Sequence, residues 1–154
     1  MTSDPFLIDT SAWLLALRKN FLPTVKDRID HLLKEDVIIT TGMVKLELLG
    51  GTKTKSEFQR LKARLDALDT VETDMQLWVR AYELAFNLRR RGVTIPYTDI
   101  LIAACALHAK AIILHADAHF DLISEHLELK VESFTREVRS LHQYTRIRQE
   151  THNS

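Results

Sequence analysis

The stretch AIILHADAHFDLI, residues 111–123, holds the choice of fold. Ala111 to Leu114 is a short apolar run of strand character, Asp117 follows it by three positions, and a short helix begins after that acid. Strand, acid-bearing turn and helix in that order are the unit of an α/β protein. The same unit opens the chain: Phe6 to Ile8 reads as a strand, Asp9 follows at once, and Ser11 to about Asn20 reads as a helix. Two histidines flank Asp117 at 115 and 119, so this segment also raises the question of a metal site.

Working outward, short apolar runs alternate with longer segments of helical period, and no repeat or Gly/Ser-rich linker divides them. Pro23 opens a helix that carries Val25, Ile29, Leu32 and Leu33. Val37 to Thr40 is β-branched throughout and reads as a strand. A helix from about Gly42 to Leu49 stops at Gly50 and Gly51. Lys55 to Leu68 sets Phe58, Leu61, Leu65 and Leu68 on one helical face. Asp74 to Arg91 does the same with Met75, Trp78, Val79, Tyr82 and Phe86. Thr98 to about Lys110 is a further helix, with Cys105 on an apolar face; Trp78 and Cys105 read as packing residues. Val131 to Phe134 reads as a last strand. Residues 135–154 form a polar tail with scattered arginines that is expected to fray, so the domain is expected over 1–134.

Composition narrows the class of protein. The chain has 154 residues, 45% hydrophobic and 27% charged, which is the make-up of a single globular domain rather than a disordered one. Lys+Arg and Asp+Glu are both 21, so no global basic excess advertises nucleic acid. A local basic rim can still bind phosphates. The single cysteine leaves nothing for an internal disulfide or a thiolate zinc cluster and fits a reducing cytoplasm. Residues 1–9 lack the positive region of a secretory signal, and the longest apolar stretch is interrupted by His108, Lys110 and His115, so a membrane span is not expected.

Four carboxylates stand out. Asp9 and Asp117 follow strands, where open α/β sheets place their ligand crevice, although each also fits as a helix cap. Glu47 shares a helical face with Met43, Val44, Gly50 and Gly51, so it is either partnered or lines a cleft. Asp99 shares a face with Ile102, Ala103 and Ala106. Thr98 is placed to cap that helix and leave Asp99 free, although first-turn acids also complement the dipole. Four converging carboxylates without cations repel at several kcal/mol or more per unpaired buried charge. Hard divalent ions such as Mg²⁺ or Mn²⁺ relieve this and can serve phosphodiester hydrolysis.

These residues carry a resemblance. PheLeuIleAspThrSerAlaTrp at 6–13, Glu47 on a helix after a short strand, Gly92-x-x-IlePro-x-x-Asp99 followed by Ile102, Ala103 and Ala106, and Asp117-x-x-Phe120 after an apolar strand resemble the PIN-domain family. Within it, the VapC-type toxins of bacterial toxin–antitoxin pairs are most similar. The resemblance spans about residues 6–134. It implies a three-layer α/β/α sandwich with a short central parallel sheet, and cleavage of RNA by a Mg²⁺- or Mn²⁺-dependent endoribonuclease. Asp9, Glu47, Asp99 and Asp117 match the acidic set. Asp9, Asp99 and Asp117 would hold the metal, with Glu47 a further ligand or an orienter of the attacking water. Thr10 and Ser11 match hydroxyl positions after the first acid. A cognate antitoxin and a homodimer are implied as well.

His115 departs from the small hydroxyl residue that such proteins commonly carry two positions before the last acid, and its role stays open between metal water, RNA and packing. His119 reads as a helix-surface residue. Direct ligation by either is disfavoured, because Mg²⁺ prefers oxygen and no third histidine completes a zinc triad. Asp121 is a candidate accessory acid. Lys45, Lys53 and Arg89–Arg91 are candidates for gripping phosphate, the arginines also being explicable as helix-dipole compensation. Trp13, Leu14 and Leu17 are candidates for an antitoxin groove or for plain core. Other readings are an RNA-processing or DNA nuclease of the same fold that is not a toxin, and a PIN-like interaction module with idle acids. A phosphoacceptor receiver domain lacks its second acid and its lysine here.

Overall fold

The computed structural model describes residues 3–17 and 22–152. Five strands form one parallel sheet: β1 (Phe6–Ile8), β2 (Ile38–Thr41), β3 (Asp69–Val71), β4 (Ile112–His115) and β5 (Val131–Ser133), in the order β3-β2-β1-β4-β5. Among the described residues, eight helices flank it: α1 (Thr10–Leu17), α2 (Pro23–Lys34), α3 (Gly42–Gly50), α4 (Lys55–Asp66), α5 (Met75–Arg90), α6 (Tyr97–Ala109), α7 (Ala118–His126) and α8 (Thr135–His152). This is the α/β/α sandwich with a short parallel sheet.

The sheet centre explains its sequence. β1 pairs with both β2 and β4, with Phe6 opposite Ile38 on one side and Ile112 on the other. Strands covered on both faces need continuous apolar runs, and Leu7, Ile8, Ile113 and Leu114 are fully buried. Against them lies α6, whose Ile102, Ala103, Cys105 and Ala106 are also fully buried. Burial pushes the Cys105 thiol up to about 11, so it packs as an inert apolar group.

From β1 the chain winds outward through β2 to β3, whereas β4 and β5 extend the sheet the other way. The order therefore reverses between β1 and β4, the place where a parallel sheet opens a crevice at its carboxyl ends.

Four local expectations are corrected. The α4 segment ends at Asp66, and Asp69–Val71 forms β3; its first two residues are exposed and it has no apolar run, so the edge strand is held by its ladder with β2 and by Val71 on the core. On α5 the inward face is Leu77, Ala81, Leu84 and Leu88, while Met75, Trp78, Val79, Tyr82 and Phe86 lie on the exposed side. Residues 135–152 are helical, anchored by Val138 on the core and by an Arg146–Glu150 pair along the exposed turns. Thr98 does not cap α6: that helix starts at Tyr97, with Pro96 at the cap position and no side-chain cap bond. The first helix begins at Thr10, and the end expected for it near Asn20 lies outside the described residues.

Candidate active site

The crevice at the switch point is lined from four elements. Asp9 follows β1, Asp117 follows β4, Asp99 sits in the first turn of α6, and Glu47 is on α3. Both the capping and the cleft readings of the strand-end acids apply. Asp9 Oδ2 accepts from the Ser11 backbone N–H at 3.0 Å and from Ser11 Oγ at 2.6 Å. Asp117 caps α7, its Oδ1 accepting the His119 backbone N–H at 2.9 Å. A cap uses one face of a carboxylate and leaves the rest of its lone pairs for another partner.

Thr10 and Ser11 brace these acids. Ser11 Oγ also accepts the Ala116 backbone N–H at 3.0 Å, which ties the turn after β1 to the turn after β4. Thr10 Oγ1 donates to Glu47 Oε1 at 3.1 Å and aims the glutamate at the crevice from across the cleft.

The electrostatics are those of a site short of positive charge. Asp9 and Asp99 are only 4% and 8% exposed, and among the described residues no lysine or arginine pairs with Asp9, Asp99 or Asp117. Burial pushes the Asp99 carboxyl up to about 6, with the charges of Asp117 and Asp9 adding to the rise. Burial also raises Asp9 and Glu47, although the bonds from Ser11 and Thr10 work in the opposite direction.

His119, expected as a helix-surface residue, sits on α7 and also reaches the acids. Its side chain is partly exposed, yet Nδ1 donates toward Asp99 Oδ2 at 2.9 Å and lies 3.1 Å from Asp117 Oδ1. Ligand atoms of Asp99, Asp117 and His119 all fall within 4.8 Å of one another. The usable signal was the spacing: a residue two positions after a helix-capping acid has its own N–H bound by that acid, so its side chain rides on the same turn.

His115 is fully buried and packs on Phe120, with ring centroids 5.2 Å apart. Its Nδ1 accepts the Asp117 backbone N–H at 3.2 Å, which assigns the proton to Nε2, and burial holds it below the ordinary imidazole value as a neutral ring. Nε2 faces Asp121 Oδ1 at 3.4 Å without hydrogen-bond geometry. Asp121 in turn accepts from Thr135 Oγ1 at 2.7 Å and Ser133 Oγ at 3.1 Å. These two residues form a layer beside Asp117, with Asp121's Oδ2 engaged by Ser133 and Thr135.

The candidate cations separate in the same way. Lys45 is bound to Asp66, Arg91 donates to the His126 carbonyl, and Arg90 stacks over Phe86. Arg89 faces a cavity of about 410 Å³ that it shares with Tyr97, Ile100 and His119 beside the acids. On the far side of α1, Trp13 and Leu17 line an apolar groove of about 580 Å³ with Ile29, Leu33, Leu61 and Leu68.

A parallel α/β sandwich with buried acids converging at its switch point, three of them without a lysine or arginine partner, is a carboxylate-lined crevice of the kind hard divalent ions occupy. The PIN domain family model matches residues 6–125, and the chain belongs to that family. Ribonuclease VapC21 of Mycobacterium tuberculosis is 31% identical over 122 residues, covering 77% of this chain and 86% of that protein. VapC ribonuclease Mb1587 of Mycobacterium bovis is 32% identical over 133 residues, covering 83% and 98%. Among solved structures, the VapBC2 complex of Rickettsia felis bound to a promoter DNA fragment contains a chain matching with a TM-score of 0.69 at 23% identity, over 83% of this chain and 97% of that one. VapBC-1 of nontypeable Haemophilus influenzae gives 0.67 at 19% identity, over 84% and 98%. None of the described helices is long and apolar enough to cross a membrane.

Proposed function

We propose that the chain is a metal-dependent endoribonuclease and the toxin of a toxin–antitoxin pair, acting in the cytoplasm, with residues 1–134 as the nuclease domain and the remainder as an appended helical segment. The strongest support is the carboxylate cluster: Asp9 and Asp99 are buried at the switch point beside Asp117 without a lysine or arginine to balance them. Their all-oxygen contribution suits Mg²⁺ or Mn²⁺. Such an ion supplies Lewis acidity to the phosphate oxygens and lowers the pKa of water.

In this reading Asp9, Asp99 and Asp117 hold the ion. Ser11 keeps the first and third of these acids in register by bridging their turns. Glu47, steadied by Thr10, orients the attacking water from the opposite side. Arg89, which lines the cavity it shares with His119, would take the RNA phosphate, and binding through it would weaken as salt rises. The test is cleavage of a structured RNA by the purified protein with Mg²⁺, Mn²⁺ or EDTA, beside Asp99→Asn purified identically. Metal-dependent cutting abolished by the substitution is expected. Equal cutting by both proteins would sink the assignment.

Two protein partners follow. The apolar groove between α1, α2 and α4 is the seat of the antitoxin, with Trp13 and Leu17 on its wall. The exposed aromatic face of α5 is the surface for a second copy: Tyr82 is 61% exposed, Phe86 60% and Met75 71%, beyond what scattered surface apolar residues account for. Phe86→Glu is expected to give a monomer by light scattering; an unchanged mass would remove α5 from the interface.

A further inference from the structure

The imidazole of His119 occupies the position where two site carboxylates need a cation. Nδ1 is 2.9 Å from Asp99 Oδ2 and 3.1 Å from Asp117 Oδ1, although those acids come from different elements. The side chain is 43% exposed, and the backbone N–H of the same residue is bound by Asp117 Oδ1 at 2.9 Å, so ring and acid sit on one turn. His119 and Asp117 therefore move as one turn. His115, the other histidine of the segment, is buried with its Nε2 turned to Asp121, so it cannot serve the same ion.

We propose that His119, through Nδ1, is a nitrogen ligand of the metal centre and biases the site from Mg²⁺ toward first-row transition ions such as Mn²⁺. Mg²⁺ demands octahedral oxygen and gives up its waters reluctantly; imidazole suits the later first-row ions Fe²⁺, Ni²⁺ and Zn²⁺, and Mn²⁺, the weakest binder of that series, is the stringent case for a nitrogen ligand. A set of Asp99, Asp117 and His119 is a mixed nitrogen–oxygen set. The inference rests on the metal-site reading above and adds a ligand that the oxygen-only expectation left out.

The experiment uses the full chain with ¹⁵N-labelled histidine, titrated with MnCl₂ and read by pulsed EPR, with MgCl₂ as competitor. Bound Mn²⁺ is expected to show coupling to one imidazole nitrogen. His119→Gln should abolish that coupling and lower the Mn²⁺-to-Mg²⁺ affinity ratio by about tenfold or more, the scale on which metal-site partners act. His119→Asp should lose the coupling while binding Mg²⁺ at least as well as the wild type, and it serves alone if the glutamine variant does not fold. Mn²⁺ binding that needs Asp99 yet shows no nitrogen coupling, with the ratio unchanged in the variants, overturns the role of His119 and leaves the metal site standing. Mn²⁺ binding indifferent to Asp99→Asn overturns both readings.

Discussion

Asp66 and Asp99 are both helix aspartates, and their surroundings send them in opposite directions. Asp66, the last residue of α4, lies 2.6 Å from both Lys45 Nζ and Lys62 Nζ, and those two bonds hold its carboxyl below the usual range. Asp99, in the first turn of α6, is buried among other acids and pushed up to about 6. The surface acid is given two cations by the chain, and the buried one is given only a histidine. Charge that the fold leaves unbalanced is available to something that diffuses in, and this separates a structural carboxylate from a working one.

The contrast can be broken most directly by neutralising each acid. Asp99→Asn is expected to stabilise the metal-free protein at neutral pH by on the order of 2 kcal/mol, because it removes the cost of an ionised carboxylate whose folded pKa is raised. Asp66→Asn should instead lower the melting temperature slightly, an effect that disappears in high salt. Melting curves of both variants without divalent ions decide the point, and two shifts of the same sign would remove the contrast.

pH sharpens it. A carboxylate raised in the folded state contributes stability that is fully present below its unfolded value of 3.8 and is lost as pH climbs through about 6. The metal-free protein should therefore lose melting temperature across that window, and Mn²⁺ should restore it by more above pH 6 than below. Asp66, being lowered, contributes in the other sense: its share is present above the ordinary aspartate value and fades as pH falls. A metal-induced shift that does not change with pH would contradict the Asp99 half of the comparison.

A smaller effect is expected one step from the charges. Thr10→Val removes the donor to Glu47 Oε1 while keeping the residue's shape, and RNA cleavage should fall by about tenfold with the fold intact. Unchanged activity would mean that Glu47 is positioned by other contacts.

The centre of the molecule was legible in the sequence, and its rim was not. β1, β4 and the acids that follow them announce themselves because strands buried on both faces must be apolar and a carboxylate among apolar neighbours needs a reason. β3 was invisible because an exposed edge strand of three residues has no such pattern. On α5 two apolar stripes run along one helix, and the larger side chains, Trp78, Tyr82 and Phe86, drew the inward reading; the smaller Ala81 and Leu77 are what the packing admits. Helical periodicity says that a face exists and cannot say which of two faces meets the core. The approach of His119 to Asp99 joins β4–α7 to the start of α6, a contact between segments 20 residues apart that local spacing does not encode.

The position of β1 in the sheet also governs the making of the protein. β1, the earliest of the described strands, lies in the middle of the sheet, and the register of Phe6 opposite Ile112 leaves one of its edges bare until β4 pairs with it. A ribosome-bound chain that stops short of β4 carries Asp9, Glu47 and Asp99 but has neither Asp117 nor the ladder that sets Asp9 beside it. The acidic edge thus closes only once β4 has joined β1.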